Sequence, residues 1–234
     1  MPLVLPVALL MLSAVTASPP EPGPLWSVAI PGHGRAVFVP PSAPGVVPLI
    51  IAIHGSWDRP EWICEMLDRA LQGDAGILCL RGVLRKDRPR DGPRWTVGNE
   101  ATTRLEIASA LDVVKARWGD RVVTSRPFLS GFSLGAGMAV TLARKDPEKW
   151  SGLLLVEGGM GAGVAGRVPA TVPLALGCGT RGCAGKSAAI CRKRRGPCLA
   201  ETDLRYGHSY NPPFEVSGAR LFRWLFASAE QPQR

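Results

Sequence analysis

Apolar, β-branched segments alternate with amphipathic segments along this chain, and this alternation restricts the folds open to it. We predict strands at residues 25–30, 35–39, 47–53, 77–80, 127–130, 152–156, 172–176 and 199–205. We predict helices at residues 60–71, 100–118, 134–145, 186–192 and 214–226. The first two strands form a hairpin, and later strands that alternate with helices pair in parallel. The sequence therefore predicts an α/β fold with a mostly parallel eight-stranded sheet and helices on both faces.

One strand-to-helix turn of this series carries the consecutive residues Gly131, Phe132, Ser133, Leu134 and Gly135. The spacing G-x-S-x-G is typical of a nucleophile elbow, in which a sharp turn lifts the serine hydroxyl above the sheet. Side chains at the two glycine positions would collide with neighbouring backbone. In a chain with 27 glycines an ordinary glycine-rich turn can have the same spacing. The surrounding sequence must therefore distinguish a nucleophile elbow from such a turn.

The chain has only three histidines, and two of them follow predicted strands. His54 and Gly55 directly follow the predicted buried strand at 47–53, and His208 follows the last predicted strand. Ligands of such sheets bind at the carboxyl ends of the strands, and Ser133 lies just past one of these ends. His33 lies in the first hairpin and has no predicted catalytic role.

With His-Gly after a strand, then the GFSLG turn, then Gly-His after the final strand, the chain resembles the α/β-hydrolase superfamily. It is similar to small exported serine esterases, dienelactone hydrolases and polyester depolymerases. The resemblance covers roughly residues 25–230. It implies the α/β-hydrolase fold and hydrolysis of carboxylic esters through an acyl-enzyme, without a cofactor or metal.

The resemblance also implies roles for individual residues. Ser133 would be the nucleophile, and His208 would be the general base that takes and returns its proton. The oxyanion hole would consist of the backbone N–H of Leu134 and that of Ser56 or Trp57.

The acid of the triad is missing from its usual place after the penultimate strand, because residues 158–200 contain neither Asp nor Glu. Glu157 follows the preceding strand and keeps the chain order nucleophile, acid, base, so it is the predicted acid. Asp203 lies five residues before His208, roughly 16 Å away along an extended chain, and Glu201 is farther. The alternative is a Ser–His dyad whose imidazole is held by a carbonyl or by water.

A function of another class also remains open. The protein could be a catalytically degenerate α/β-hydrolase-fold protein that binds a ligand or an envelope component. The vacant acid position favours this alternative, whereas Ser133, His208 and the elbow glycines favour an enzyme. Acyl transfer or peptide cleavage by the same nucleophile is a further alternative.

The connection between the strands at 152–156 and 172–176 is about fifteen residues long. Larger relatives insert a lid here, so we expect no sizeable lid and an open, shallow site. The loop 81–97, including Trp95, would form its wall. Such a site suits accessible small-molecule or polymeric esters.

The chain begins with an apolar run of about fifteen residues that ends in small ones, and Val15-Thr16-Ala17 is a small-x-small pattern typical of signal-peptidase sites. We predict a signal peptide at 1–17, a Pro-rich spacer at 18–24, and one hydrolase domain at 25–230. The protein would then be periplasmic or extracellular. The run lacks a preceding Lys or Arg and contains Pro6, so an uncleaved membrane anchor is the alternative.

The six cysteines suit an oxidising compartment. Local pairs are preferred, and buried free thiols are the alternative, while the spacings match no metal-binding pattern. The preferred pairs are Cys64–Cys79, Cys178–Cys183 and Cys191–Cys198.

The formal net charge is +9, and much of the excess lies in residues 81–94 and 186–195. These segments could attract anionic envelope surfaces or polymers, or they could be solvated loops. No basic, aromatic-interleaved platform indicates nucleic-acid binding. We expect a monomer.

Overall fold

A computed structural model of the protein describes residues 23–87, 90, 92–161 and 164–230. The predicted signal peptide, and the spacer up to residue 22, lie outside the described residues. The predicted division of the chain into leader, spacer and domain stays a prediction.

The strands form one large sheet and one short ribbon. In chain order they are β1 (Trp26–Ala29), β2 (Arg35–Val39), β3 (Val47–Ile53), β4 (Gly76–Cys79), β5 (Val83–Leu84), β6 (Trp95–Thr96), β7 (Val122–Phe132), β8 (Gly152–Val156), β9 (Leu174–Cys178) and β10 (Cys198–Thr202). The large sheet has the order β1-β2-β4-β3-β7-β8-β9-β10, and β5 pairs with β6. The β1–β2 and β2–β4 pairs are antiparallel, and the other pairs of the large sheet are parallel. The predicted eight-stranded, mostly parallel sheet is confirmed.

Helices cover both faces of this sheet, as predicted. They are α1 (Pro60–Leu71), α2 (Glu100–Trp118), α3 (Leu134–Lys145), α4 (Arg181–Lys193) and α5 (Pro213–Glu230). On one face α1 and α5 bury side chains such as Leu67 and Phe222. On the other face α2, α3 and α4 bury Val114, Val140 and Ile190.

Two element boundaries differ from the sequence prediction by five residues, and the other predicted boundaries differ by four residues at most. α4 begins at Arg181 and not at residue 186, because the Thr180 hydroxyl accepts a hydrogen bond from the Cys183 N–H and caps the helix. β7 begins at Val122, five residues before the predicted start at Pro127. A proline has no N–H for the ladder and so suggests a strand end. Here Pro127 lies in an irregular part of β7, because the pairing with β3 shifts from Pro48–Val123 to Ile50–Phe128 and leaves the proline outside the paired positions.

The connection from β8 to β9 carries no sizeable lid among its described residues. Its described residues include a short 3-10 turn, Ala165–Arg167. The described helices include none that combines the length and apolarity needed to cross a bilayer.

All six cysteines lie in disulfide-bonded pairs, and the predicted local pairing is confirmed. The bonds join residues close in sequence, namely Cys64–Cys79, Cys178–Cys183 and Cys191–Cys198. Such bonds persist in oxidising compartments, so they indicate an oxidising environment for the folded chain.

The longest of these cross-links should contribute most to stability. Cys64–Cys79 closes a loop of 15 residues. Its removal in a Cys64→Ala/Cys79→Ala variant is expected to lower the free energy of unfolding by about 3 kcal/mol, because the unfolded chain regains loop entropy. Urea denaturation measures this value, with Cys191→Ala/Cys198→Ala, which opens a loop of 7 residues, as the comparison. An equal or larger loss in the comparison variant would contradict the expectation.

Candidate active site

Ser133 is the single residue between β7 and α3, and its backbone is strained. Its φ of 52° lies in the left-handed region, which few residues other than glycine adopt. The Ser133 N–H donates a hydrogen bond of 2.9 Å to the carbonyl of Val156. The sharp strand-to-helix turn expected from the GFSLG motif is therefore present.

The two glycines of this motif are required by close backbone packing. A Cβ atom at Gly131 would overlap the carbonyl of Gly135, and one at Gly135 would overlap the carbonyl of Ile53. Neither contact could be relieved by moving a side chain, because the opposing atoms are backbone.

His208 lies between Ser133 and Glu157. Its Nε2 is 3.0 Å from Ser133 Oγ, and its Nδ1 is 3.2 Å from Glu157 Oε2. The His208 side chain is 51% exposed, whereas that of Glu157 is 3% exposed. The structure thus brings together the three side chains that the sequence suggested as nucleophile, base and acid.

The Glu157 carboxylate reaches into the turn after β9. Its Oε1 accepts hydrogen bonds from the backbone N–H of Gly179 (2.5 Å) and of Thr180 (2.9 Å), and the Thr180 hydroxyl donates to Oε2 at 3.0 Å. This turn opens α4, and a helix N-terminus is a favourable place for a negative charge. The carboxylate is consequently fixed in orientation from one side while its other oxygen faces His208.

Two other acids, which lie close to His208 in the amino-acid sequence, pair with other side chains. Asp203 pairs with Arg205, and that hydrogen-bonded guanidinium lowers the pKa of Asp203 to about 2. Glu201 pairs with Arg220 at 2.8 Å. Of the three candidate acids, Glu157 is the one that lies beside the His208 ring.

His54 holds the loop after β3 in place. The ring is buried, with Nδ1 2.7 Å from the Gly55 carbonyl oxygen and Nε2 2.9 Å from the Arg81 carbonyl oxygen. Both ring nitrogens are therefore occupied by backbone, which suits a structural role.

This loop packs directly against the elbow. A Cβ atom at Gly55 would lie 3.4 Å from that of Ser133, so the loop that continues into Ser56 and Trp57 passes beside the elbow. Trp57 has a φ of 60°. Leu134 is the first residue of α3, where helix N–H groups have no acceptor within the helix. The predicted donors of an oxyanion hole thus come from two segments that flank Ser133.

The whole fold is similar to several solved structures. A dienelactone hydrolase from Anabaena variabilis is 12% identical with a TM-score of 0.58, covering 88% of this chain and 98% of its own. A bacterial membrane phospholipase A is 14% identical with a TM-score of 0.59, covering 89% and 87%. The acyl-protein thioesterase 2 of Zea mays is 16% identical with a TM-score of 0.55, covering 84% and 100%. The chain has the α/β-hydrolase fold.

Neither a family model nor a curated protein sequence matches the chain. At these identities the likeness concerns the α/β-hydrolase fold alone.

One feature near the elbow of this α/β-hydrolase fold was not foreseen from the sequence. Asp58 Oδ2 accepts hydrogen bonds from the Gly55 N–H (3.0 Å) and from the Tyr210 hydroxyl (2.5 Å). The Tyr210 ring packs 4.5 Å from that of Phe132, which lies 5.0 Å from the His208 ring. The bridge therefore ties the loop beside Ser133 to the loop that carries His208. The partners are 152 residues apart, and only their closeness in sequence to the two histidines hinted at a role.

Both tyrosines of the chain should resist ionisation in the folded state. Burial raises the pKa of Tyr206, assisted by the Glu157 charge, and burial together with the Asp58 carboxylate raises that of Tyr210. In the unfolded chain a tyrosine titrates at about pH 10. Above that pH the unfolded state binds fewer protons than the folded state, so stability falls as the pH rises.

We expect a loss of up to about 1.4 kcal/mol per pH unit for each tyrosine above pH 10. Urea unfolding between pH 9 and 11, with tyrosinate absorbance at 295 nm, measures both effects. Reversible ionisation of the folded protein with a midpoint near pH 10 would contradict this expectation.

The expected wall from residues 81–97 is partly a hairpin, β5–β6, that the sequence did not predict. Backbone hydrogen bonds of 3.1 and 2.9 Å join Asp58 and Trp95 and hold β6 against the loop after β3. The Arg85 guanidinium lies 4.6 Å above the Trp57 ring and donates to the Ser56 hydroxyl. Trp57 and Leu134 remain about half exposed.

Three side chains with metal-ligating atoms, that of the acid included, lie together. Ligand atoms of Glu157, Cys178 and Cys183 lie within 4.8 Å of one another. The two sulfurs are joined in a disulfide and are not thiolates, the form in which cysteine binds metals. This cluster therefore does not fit a metal ion.

Proposed function

We propose that this protein is a serine hydrolase that cleaves carboxylic esters through an acyl-enzyme. The observation that carries the proposal is the continuous row of contacts from Ser133 Oγ through His208 to Glu157. The proposed carboxylate only accepts hydrogen bonds, so it selects the tautomer with a proton on Nδ1. Nε2 is then free to accept the serine proton.

In the first half of the reaction, Ser133 Oγ attacks the ester carbonyl while its proton moves to His208 Nε2. The carbonyl oxygen becomes negatively charged and accepts hydrogen bonds from the N–H of Leu134 and that of Ser56 or Trp57. The bond to the alcohol oxygen then breaks, and that oxygen takes the proton from Nε2. An alcohol leaves, and the acyl group stays on Ser133.

In the second half, water replaces the alcohol. His208 takes a proton from the water as its oxygen attacks the acyl carbon. The bond from the carbon to Ser133 Oγ breaks, and Oγ recovers the proton. A carboxylic acid leaves, and the free enzyme is restored.

The triad that we propose is atypical in the position of its acid. Glu157 follows β8, whereas the turn after β9 contributes the backbone N–H groups of Gly179 and Thr180. That turn thus supports the acid instead of supplying it. The support that Glu157 gives to the His208 imidazole favours an active enzyme over the catalytically degenerate binding protein.

The openness of the site bears on the substrate. His208 and Leu134 are half exposed, and the described part of the β8–β9 connection covers neither with a lid. We infer that accessible esters, either small molecules or polymers, are the substrates. The names of the structurally similar phospholipase, thioesterase and dienelactone hydrolase agree with this reaction class.

We further propose that the protein is exported and acts in the periplasm or outside the cell. The three disulfides support an oxidising location. Retention at the membrane by the N-terminal segment is the alternative, and N-terminal sequencing of the protein purified from its cells distinguishes the two.

The reaction class is tested by rapid mixing of the purified protein with p-nitrophenyl acetate and butyrate. An acyl-enzyme predicts an initial burst of about one p-nitrophenol per protein whenever deacylation is slower than acylation, followed by steady turnover. Turnover without a burst, together with partition of the acyl group to added methanol, would also support an acyl-enzyme. The absence of turnover would contradict the enzyme and favour the degenerate alternative.

A further inference from the structure

A second concave region lies between α4 and the connection from β8 to β9. Its volume is about 380 Å³, within the lower part of the range usual for small-molecule sites. The described residues that line it include none of those proposed for catalysis. It is therefore separate from the triad.

The lining of this cavity is strongly cationic. Four positively charged side chains contribute to it, namely Arg167, Lys186, Lys193 and Arg194. Residues 158–200 contain no carboxylate side chain. Within the described part of the chain, none of the four cations forms an ion pair. The cavity consequently has a positive charge that neighbouring protein groups do not balance.

Arg194 is held rigidly within this lining. Its guanidinium donates to the carbonyl oxygens of Val168, Pro169 and Val172, at 2.5, 2.7 and 2.6 Å. These acceptors are neutral, and the buried Nε has no hydrogen-bond partner among the described residues. Burial of an incompletely satisfied cation is costly, and an anion in the cavity would offset part of that cost.

The remainder of the lining is apolar. Lys186, Ala189, Ile190 and Lys193 follow the spacing i, i+3, i+4 and i+7, which places them on one face of α4. Ile190 is buried between the two lysines, and the buried Met160 adds to the same floor. One helix face thus combines an apolar centre with a positive charge at each end.

We propose that this cavity binds an anionic amphiphile, with a carboxylate or phosphate head group on a short alkyl chain. The cations receive the head group, and the alkyl chain covers Met160 and Ile190. An inorganic anion would leave the apolar floor exposed to water, and a neutral lipid would leave the charge unbalanced. This proposal is independent of the proposed ester hydrolysis.

Calorimetric titration of the full-length protein with octyl phosphate and with octanoate tests the ligand class. We expect saturable 1:1 binding of both and at least about tenfold weaker binding of octanol and of inorganic phosphate, because each lacks one half of the ligand. Inorganic phosphate binding as tightly as octyl phosphate would overturn the proposal, as would the absence of binding of both amphiphiles.

A matched pair of variants locates the site. Lys186→Gln/Lys193→Gln removes two charges that line the cavity, and Arg192→Gln/Arg195→Gln removes two neighbouring charges that do not. We expect the first pair to weaken octyl phosphate binding about fivefold or more and the second to change it less than about twofold. An equal effect of both pairs would reveal general electrostatic attraction and contradict a defined site.

A third variant and a second ligand source complete the test. Ala189→Glu places a carboxylate in the cavity and should abolish binding of octyl phosphate, whereas retained binding would refute the location. Vesicles of phosphatidylglycerol present the same combination of phosphate and alkyl chain on a lipid surface. If Lys186→Gln/Lys193→Gln weakens the binding of both octyl phosphate and the vesicles, the result supports the cavity. Binding to the vesicles alone, weakened equally by both variant pairs, overturns the proposal.

Discussion

Ser133→Ala is expected to lower kcat/KM for p-nitrophenyl acetate by about 10⁴- to 10⁶-fold. The substitution removes the atom that would form the acyl bond, so the residual rate should reflect only the oxyanion donors and substrate binding. The fold should persist, because alanine is no larger than serine and the strained φ of 52° is imposed by the surrounding backbone. Steady-state kinetics and urea denaturation measure the two effects separately.

Ser125→Ala is the matched control for this experiment. Ser125 lies on the same strand, β7, but is exposed and belongs to neither of the loops around Ser133. We expect its kcat/KM to stay within about twofold of the original value. A Ser133→Ala enzyme that retained more than a tenth of the original activity would show that this serine is not the nucleophile.

The second large effect concerns the atypical acid. Glu157→Gln should lower kcat at least tenfold, and by as much as about 10⁴-fold, with a small change in KM. The new amide oxygen can still accept from Gly179 and Thr180, so the amide NH₂ would face His208. That donor favours the tautomer with its proton on Nε2, which is unable to accept the serine proton.

Glu201→Gln provides the comparison, because Glu201 forms its ion pair with Arg220 on another part of the surface. We expect less than about a twofold change in kcat for this variant. Unchanged kinetics in Glu157→Gln would remove this acid from the mechanism and favour the Ser–His dyad. Recovery of part of the activity in Glu157→Asp would support the requirement for a carboxylate.

Much of the fold was predictable because local signals and hydrophobic periodicity agree. α1 begins with Pro60, and α2 is capped by the Asn99 side chain, which accepts a hydrogen bond from the Thr102 N–H at 2.9 Å. The predicted bounds of these helices and of α3 match the structure. The beginning of α4 was missed although Thr180 is a good capping residue, because the glycine-containing segment after it has weak helical periodicity.

The site was predictable to the extent that it depends on strand ends. Ser133, Glu157 and His208 each follow a strand, so the parallel sheet brings them to one edge. The hydrogen bonds from the turn after β9 to Glu157, and the bridge from Asp58 to Tyr210, depend on contacts between loops distant in sequence. Such contacts follow from tertiary packing and have no periodic signature in the chain.

The most direct test of the central claim is covalent labelling with a fluorophosphonate probe, followed by intact-protein and peptide mass spectrometry. An activated serine predicts about one probe per protein, attached to Ser133, and no labelling of Ser133→Ala. His208→Ala should label far more slowly, because it lacks the general base. Absence of labelling, or labelling that persists in Ser133→Ala, would contradict the proposed nucleophile.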